Sequence, residues 1–346
     1  MQYYFVLCLV LVLGTKFNFS KYLINERKTV APYFILFFFS GLRVDAGYDY
    51  GSYVQLIEKG YFFLIFEPIS ITIALLASYF KFTQLFFIIT ALILVYSIYD
   101  FTKEEGNRLI FLLLYFSLPF CFLDSFSLVR QFLAMSFILL AYKRGETNKL
   151  AALTLYILAI FSHNTAIAAV LMIFPLSLKT IRSESLVYFA IPIIIITSIL
   201  IFYVVPYIPL FNRAGTSVIG LKGLLLWVSL YTPCVLVLHI YTRKYNDNVS
   251  VIAIIGIAIY IGLGLYGYYV SRFFLYFAPF AALHVARTFK IALPGVALPL
   301  AVIISLVNTS LLLFGARNNL EFDFLNNYKL YPSECANCDI RPSADF

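Results

Sequence analysis

Four short stretches of this 346-residue chain set ionisable side chains against apolar runs. Residues 40–53 read SGLRVDAGYDYGSY, with Arg43, Asp45 and Asp49 spaced by Gly41, Gly47 and Gly51, which permit tight turns and close backbone approach. SLVRQFLA places Arg130 and Gln131 at the start of another apolar run, FSHNTA carries His163, and YYVSRFF carries Arg272. Ionisable groups beside membrane-like segments are costly and are functional suspects by default. The recurring cation is Arg, whose guanidinium matches phosphate oxygens two at a time and never loses its charge. A converging set would suit a diphosphate, and Asp45, Asp49 or His163 would suit proton acceptance from a hydroxyl. Each residue also has a purely structural reading. Arg43 could pair with Asp45 and Asp49 to hold a loop, Arg130 could be an interfacial anchor, and His163 with Asn164 and Thr165 could cap a helix at a short turn. Arg213, in PLFNRAG, reads best as a loop charge. Asp45 and Asp49 lack metal-ligand spacing, so no metal or other cofactor is expected and a divalent cation is only weakly signalled.

The elements that must carry these groups are membrane helices. The chain is 62% hydrophobic and 12% charged, against about one quarter charged in soluble proteins. Apolar segments recur along its whole length, and a hydrocarbon core of about 30 Å needs roughly 20 helical residues. The fold class expected is all-α, a polytopic integral membrane protein with about 12 to 13 segments. They fall near 2–14, 30–42, 66–80, 84–99, 109–123, 129–142, 150–162, 164–178, 186–205, 222–241, 250–270, 273–287 and 292–314. Residues 1–316 form one membrane domain and 317–346 a polar tail. Residues 1–14 lack a basic leader and a small-residue cleavage site, and read as a retained helix.

The net charge of +8 is dispersed among short loops, which argues for membrane topology and against nucleic acid. The loops KFNFSKYLINERK, DFTKEEGNR, YKRGETNK, KTIR, TRKYND and RTFK hold most of the 25 basic residues, so the bias of short cytoplasmic loops puts them inside. Arg43, Arg130, His163, Arg213, Arg272, the N-terminus and the tail are then outside. The scheme fails at one point: residues 43–65 and Lys81 must both lie outside, leaving 66–80 without a partner crossing. A segment that dips in and returns resolves this, with a hidden crossing in 53–66 as the alternative. Cys8, Cys121 and Cys234 read as packing residues, and CANC, Cys335 and Cys338, could form a small external disulfide.

The order GLRVDAGYDYGSY, FEP, SLVRQFLAMSFILLA, SHNTAIAAVLMIF resembles the EpsG-type branch of bacterial O-antigen and exopolysaccharide polymerases, the Wzy-like proteins. The resemblance covers most of the first 175 residues and falls on Arg43, Asp45, Gly47, Asp49, Tyr50, Arg130, Gln131 and His163, with Arg272 only loosely like a late arginine of the family. Tyr48 departs from the smaller residue common before the second aspartate. The resemblance implies a GT-C-like glycosyltransferase that joins undecaprenyl-diphosphate-linked oligosaccharide units on the periplasmic side of the inner membrane. Donor and acceptor are both lipid-linked, and a chain-length-regulating co-polymerase is the implied partner. Arg43, Arg130 and Arg272 would hold the diphosphate. Asp45, Asp49 or His163 would serve the acceptor, and Gly47, Tyr50 and Gln131 would support them. A lipid-linked oligosaccharide flippase would instead place ionisable groups at the midplane, often in repeated halves. An O-antigen ligase usually carries a large late outer loop, and the longest late loop here, 206–221, is short. Another lipid-dependent glycosyltransferase stays open.

Overall fold

Apolar runs become helices here, and breakers set their lengths. The computed structural model describes residues 2–19, 30–177, 247–264, 272–318 and 329–330. In chain order these form α1 (Gln2–Phe19), α2 (Ala31–Gly41), β1 (Arg43–Val44), α3 (Tyr50–Glu58), α4 (Pro68–Tyr79), α5 (Gln84–Thr102), α6 (Arg108–Ser117), α7 (Val129–Gly145), α8 (Lys149–Ser162), α9 (Ala166–Ser177), α10 (Asn248–Gly264), α11 (Ala278–Ala292), α12 (Ala297–Asn318) and β2 (Lys329–Leu330). Short 3-10 turns lie at Tyr61–Leu64, Phe122–Phe126 and Arg272–Tyr276. Proline opens α2, α4 and α11, where its missing N–H costs nothing. Helix α6 stops at Ser117 because Leu118, before Pro119, is extended at ψ 148°.

Each expected segment among the described residues falls on a helix, and those at 186–205 and 222–241 lie outside them, as does Arg213. Three boundaries differ, one of them because the segment expected at 292–314 starts only at Ala297. The segment expected at 109–123 ends early at the proline, and that at 273–287 is a 3-10 turn followed by a helix starting near Pro279. Among the described residues one helix, Gln84–Thr102, is long and apolar enough to cross a membrane by length and composition, and several shorter apolar helices accompany it.

Helix α7 packs on α5 and α8, α5 on α2, α2 on α1, and α6 on α11 and α12. One apolar core threads these helices, and a second, built from Tyr53, Ile57, Phe62, Phe66, Ile73, Phe86, Phe87, Val129 and Leu133, underlies one end of the bundle. Residues 43–65 are more ordered than a loop. Helix α3 ends at Glu58, and the chain turns at Gly60, whose φ of 74° suits glycine. With 9 residues, α3 is about 14 Å long, short of the roughly 30 Å of a hydrocarbon core.

Helix α4 begins and ends at the same end of the bundle. Glu67, just before it, meets Arg130 at the start of α7. Its last turn folds onto the start of α5 through Phe82 N–H to Ala77 O (2.9 Å) and Leu85 N–H to Phe82 O (2.9 Å). At that same start Gln84 donates to Gly41 O and Arg43 O (2.7 and 2.9 Å). The 12-residue α4 therefore starts and finishes at one end of the bundle. The tail comes to this end as well, because β2 pairs antiparallel with β1, Arg43 opposite Leu330 and Val44 opposite Lys329.

Candidate functional site at one end of the bundle

The glycine-rich stretch is fastened before it presents anything. Arg43 is 1% exposed. Its Nε donates to Ala46 O (3.3 Å), its Nη1 to Ser40 O, and its Nη2 to Phe126 O (3.3 Å). The Phe87 and Phe126 rings flank the guanidinium at 5.0 and 4.8 Å. This corrects the expectation that Arg43 holds a diphosphate: its charge is sealed among carbonyls and aromatic rings, where it staples the loop. Gly47 adopts φ 106°, and a Cβ there would stand 2.0 Å from Phe126 O, so the close approach it permits is to the 122–126 turn and not to a ligand. Tyr48 N–H donates to Ser127 Oγ (2.9 Å). Tyr50 stacks on Phe87 and donates to Gln84 Oε1 (3.2 Å).

Asp45 is also corrected. It sits exposed at φ 54°, a left-handed turn position that Asp tolerates, and its carboxylate makes no ion pair among the described residues. Turn geometry accounts for it, and nothing joins it to the other candidate residues.

Asp49, Arg130, His163 and Arg272 do come together, with two acids that sequence reasoning left without a role. Arg130 Nη1 meets Glu67 Oε2 at 2.7 Å and Ile65 O at 2.9 Å, its Nε donates to Tyr53 Oη at 3.3 Å, and Phe66 lies under its plane. Its Nη2 has no hydrogen bond among the described residues. His163 follows α8, and its Nδ1 accepts from Thr165 N–H (3.3 Å) and lies 2.8 Å from Thr165 Oγ1, which in turn meets Tyr276 Oη at 2.8 Å. With Nδ1 accepting, the proton of the neutral ring sits on Nε2, facing Glu67 Oε1 at 3.9 Å. Gln131 is half-buried, and its Oε1 has no partner among the described residues.

Charge unifies the cluster. Burial raises the Asp49 pKa above its ordinary value, and Arg272 and Arg130 are close enough to oppose that rise. Burial lowers His163 to about 4; Glu67 resists, while Arg130 and Arg272 add to the fall. Burial lifts Asp124, in the 122–126 turn, to about 6, against its bond from Phe120 N–H and the charge of Arg272. Arg272 thus acts on Asp49, Asp124 and His163 alike. Glu67 and Asp124 had one signal in the sequence: each is a lone acid inside an apolar stretch.

Two guanidinia beside a desolvated carboxylate that makes no hydrogen bond among the described residues can stabilise a departing anion and accept a proton. Among the described residues no group of three or more His, Cys, Asp or Glu is placed to hold a metal ion.

No curated protein and no solved structure matches the chain. The family model of the EpsG family matches residues 29–330, from just ahead of α2 to the end of β2. On that match and on its apolar helices, the chain belongs to the EpsG family and is a polysaccharide-polymerase-like membrane protein.

Proposed function

We propose that this protein is a multi-pass, GT-C-like polymerase of O-antigen or a related surface polysaccharide, working at the periplasmic face of the bacterial inner membrane. It transfers a glycan from a polyprenyl-diphosphate donor, undecaprenyl diphosphate in the expected case, to a hydroxyl of a second lipid-linked unit. One observation carries the reading: Asp49, desolvated and without a hydrogen bond among the described residues, lies within the fields of Arg130 and Arg272. In the reaction the bond from sugar C1 to the diphosphate oxygen breaks, a bond from C1 to the acceptor oxygen forms, and the acceptor proton passes to Asp49. Negative charge grows on the diphosphate as it leaves, and Arg130, through its open Nη2, and Arg272 stabilise it. Neutral His163 directs Nε2–H toward Glu67, which steadies Arg130 until the diphosphate arrives. Helix α4, lying along the end of the bundle, forms one wall of the groove through which lipid-linked substrates approach.

The test is complementation of a deletion strain, with surface polysaccharide resolved by length. The strain should make glycan capped with a single repeat unit. Asp49→Asn and Arg272→Gln should accumulate as folded protein yet fail to restore the ladder, since loss of one donor to a developing anion costs about 100- to 1000-fold in rate. A normal ladder from Asp49→Asn refutes the assignment of the base. Unit-loaded lipid trapped on the cytoplasmic face of the deletion strain replaces polymerisation with transport across the membrane.

A further inference from the structure

The end of the bundle opposite the candidate site holds a second polar feature that polymerisation does not use. A cavity of about 200 Å³ opens where the start of α2, the turn into α6 and the α11–α12 connection meet. Asn107, Arg108 and Lys290 line it. Arg108 and Asn107 are 7% and 5% exposed, and Asn107 Nδ2 has no hydrogen-bond partner among the described residues. Lys290 Nζ is poised at the mouth by a bond to Gly106 O (2.7 Å). The acid on the lining, Glu105, has its charge met elsewhere: Arg287 holds it through Nε (3.1 Å) and Nη2 (2.6 Å). The cavity therefore combines two cations, an unused amide donor and the N-terminus of the 10-residue α6, whose partial charge is positive.

We propose that this cavity binds a phosphate group, carried by the headgroup of a membrane phospholipid. Its size supports a compact anion, since pockets for drug-sized molecules begin at about 300 Å³. Its walls favour a lipid over free phosphate: Leu109, Pro294 and Leu298 line it beside the cations. Farther along α12, Ile303, Val307 and Leu311 are each more than half exposed. The lining leucines and proline give the first carbons of an acyl chain an apolar contact beside the phosphate. Basic pockets between helices on the cytoplasmic side of a membrane are established sites for anionic headgroups, and the loop-charge bias puts this end on that side.

The experiment uses the full chain in maltoside detergent, titrated separately with phosphatidylglycerol, with diacylglycerol of the same chains, and with inorganic phosphate. Thermal unfolding is the readout. Phosphatidylglycerol should raise the unfolding temperature saturably, diacylglycerol should not, and the midpoint should move about tenfold or more to higher lipid in Arg108→Gln and Lys290→Gln. Lys290 is exposed, so its variant tests the site even where Arg108→Gln fails to fold. An unchanged midpoint in folded Lys290→Gln overturns the proposal, as does an equal rise from diacylglycerol. An equal rise from inorganic phosphate alone overturns the lipid source.

Discussion

Arg43 offers the sharpest test, because its position in the sequence and its position in the structure assign it opposite roles. Replacing it with Ala removes a guanidinium that is 1% exposed and leaves Ser40 O, Ala46 O and Phe126 O without their donor. An unpaired buried acceptor costs about 1–3 kcal/mol, so three of them, after relaxation, cost about 3–5 kcal/mol in total. At about 2 °C per kcal/mol the unfolding temperature should fall by roughly 6–10 °C. Protein level should fall with it, and any residual ladder of polysaccharide should track the amount of folded protein. Arg43→Lys should rescue little, since one ammonium cannot reach three carbonyls in different directions while lying between two rings. The assay pairs thermal unfolding of detergent-solubilised protein with ladder intensity normalised to folded protein. An Arg43→Ala protein with wild-type unfolding and no ladder would refute the structural role and return Arg43 to the substrate.

The remaining expectations concern the loop and His163. Gly47→Ala forces a Cβ to 2.0 Å from Phe126 O at φ 106°, so the loop should lift from the turn at a cost of about 2 kcal/mol or more; wild-type unfolding of this variant contradicts the docking. His163 has a folded pKa of about 4, below its unfolded value of about 6.5. The folded state therefore binds fewer protons between those values, and the stability this contributes is complete above about pH 6.5 and lost as pH falls toward 4. Imidazole resonances of histidine-labelled protein should stay neutral down to that region, and a His163 titration midpoint near 6.5 refutes the burial argument. Glu67→Gln removes the charge that resists the fall, so His163 should titrate lower still in the same measurement. Tyr276→Phe breaks the bond that steadies Thr165 against Nδ1; the polymerisation rate per folded protein should drop about tenfold, with stability lowered by no more than that one bond, about 0.5–1.5 kcal/mol.

Residue type beside an apolar run was enough to find Asp49, Arg130, His163 and Arg272, because an ion at a membrane boundary needs a partner or a task wherever it lies. The same rule misplaced Arg43. Its burial is decided by Phe87 and Phe126, distant in sequence, and no local pattern announces that two aromatic rings will close over an arginine. Asp45 was indistinguishable from Asp49 by type, and the left-handed turn that separates them depends on Gly47 reaching the 122–126 turn. Helix α3 was illegible for a local reason: YGSYVQLIE is short, mixed and opened by glycine and serine, which are weak helix formers. Loop charge left 66–80 without a partner crossing, and only contacts at both ends of α4 show that it starts and finishes at one end of the bundle. Nothing in Lys329 and Leu330 marks them as the strand that pairs with Arg43 and Val44.

The order of motifs then has a mechanical meaning. Asp49 and Arg130 stand on segments far apart in the chain, yet Arg43 Nη2 to Phe126 O, the Gly47 approach to Phe126 and Tyr48 N–H to Ser127 Oγ bind the first segment to the turn that leads directly into α7. The loop carrying Asp49 and the helix carrying Arg130 are therefore one rigid unit. Arg43 and Gly47 hold that unit together from enclosed positions, the guanidinium among carbonyls and the glycine against Phe126 O. Glu67 comes from just before α4, His163 from just after α8, and Arg272 from the turn before α11. A motion of α4 would change which partner Arg130 Nη1 keeps while leaving Asp49 where it is. In the reaction proposed above, Asp49 as base would then be held in place while Arg130 exchanges partners, which suits a leaving group that must arrive and depart beside a fixed acceptor.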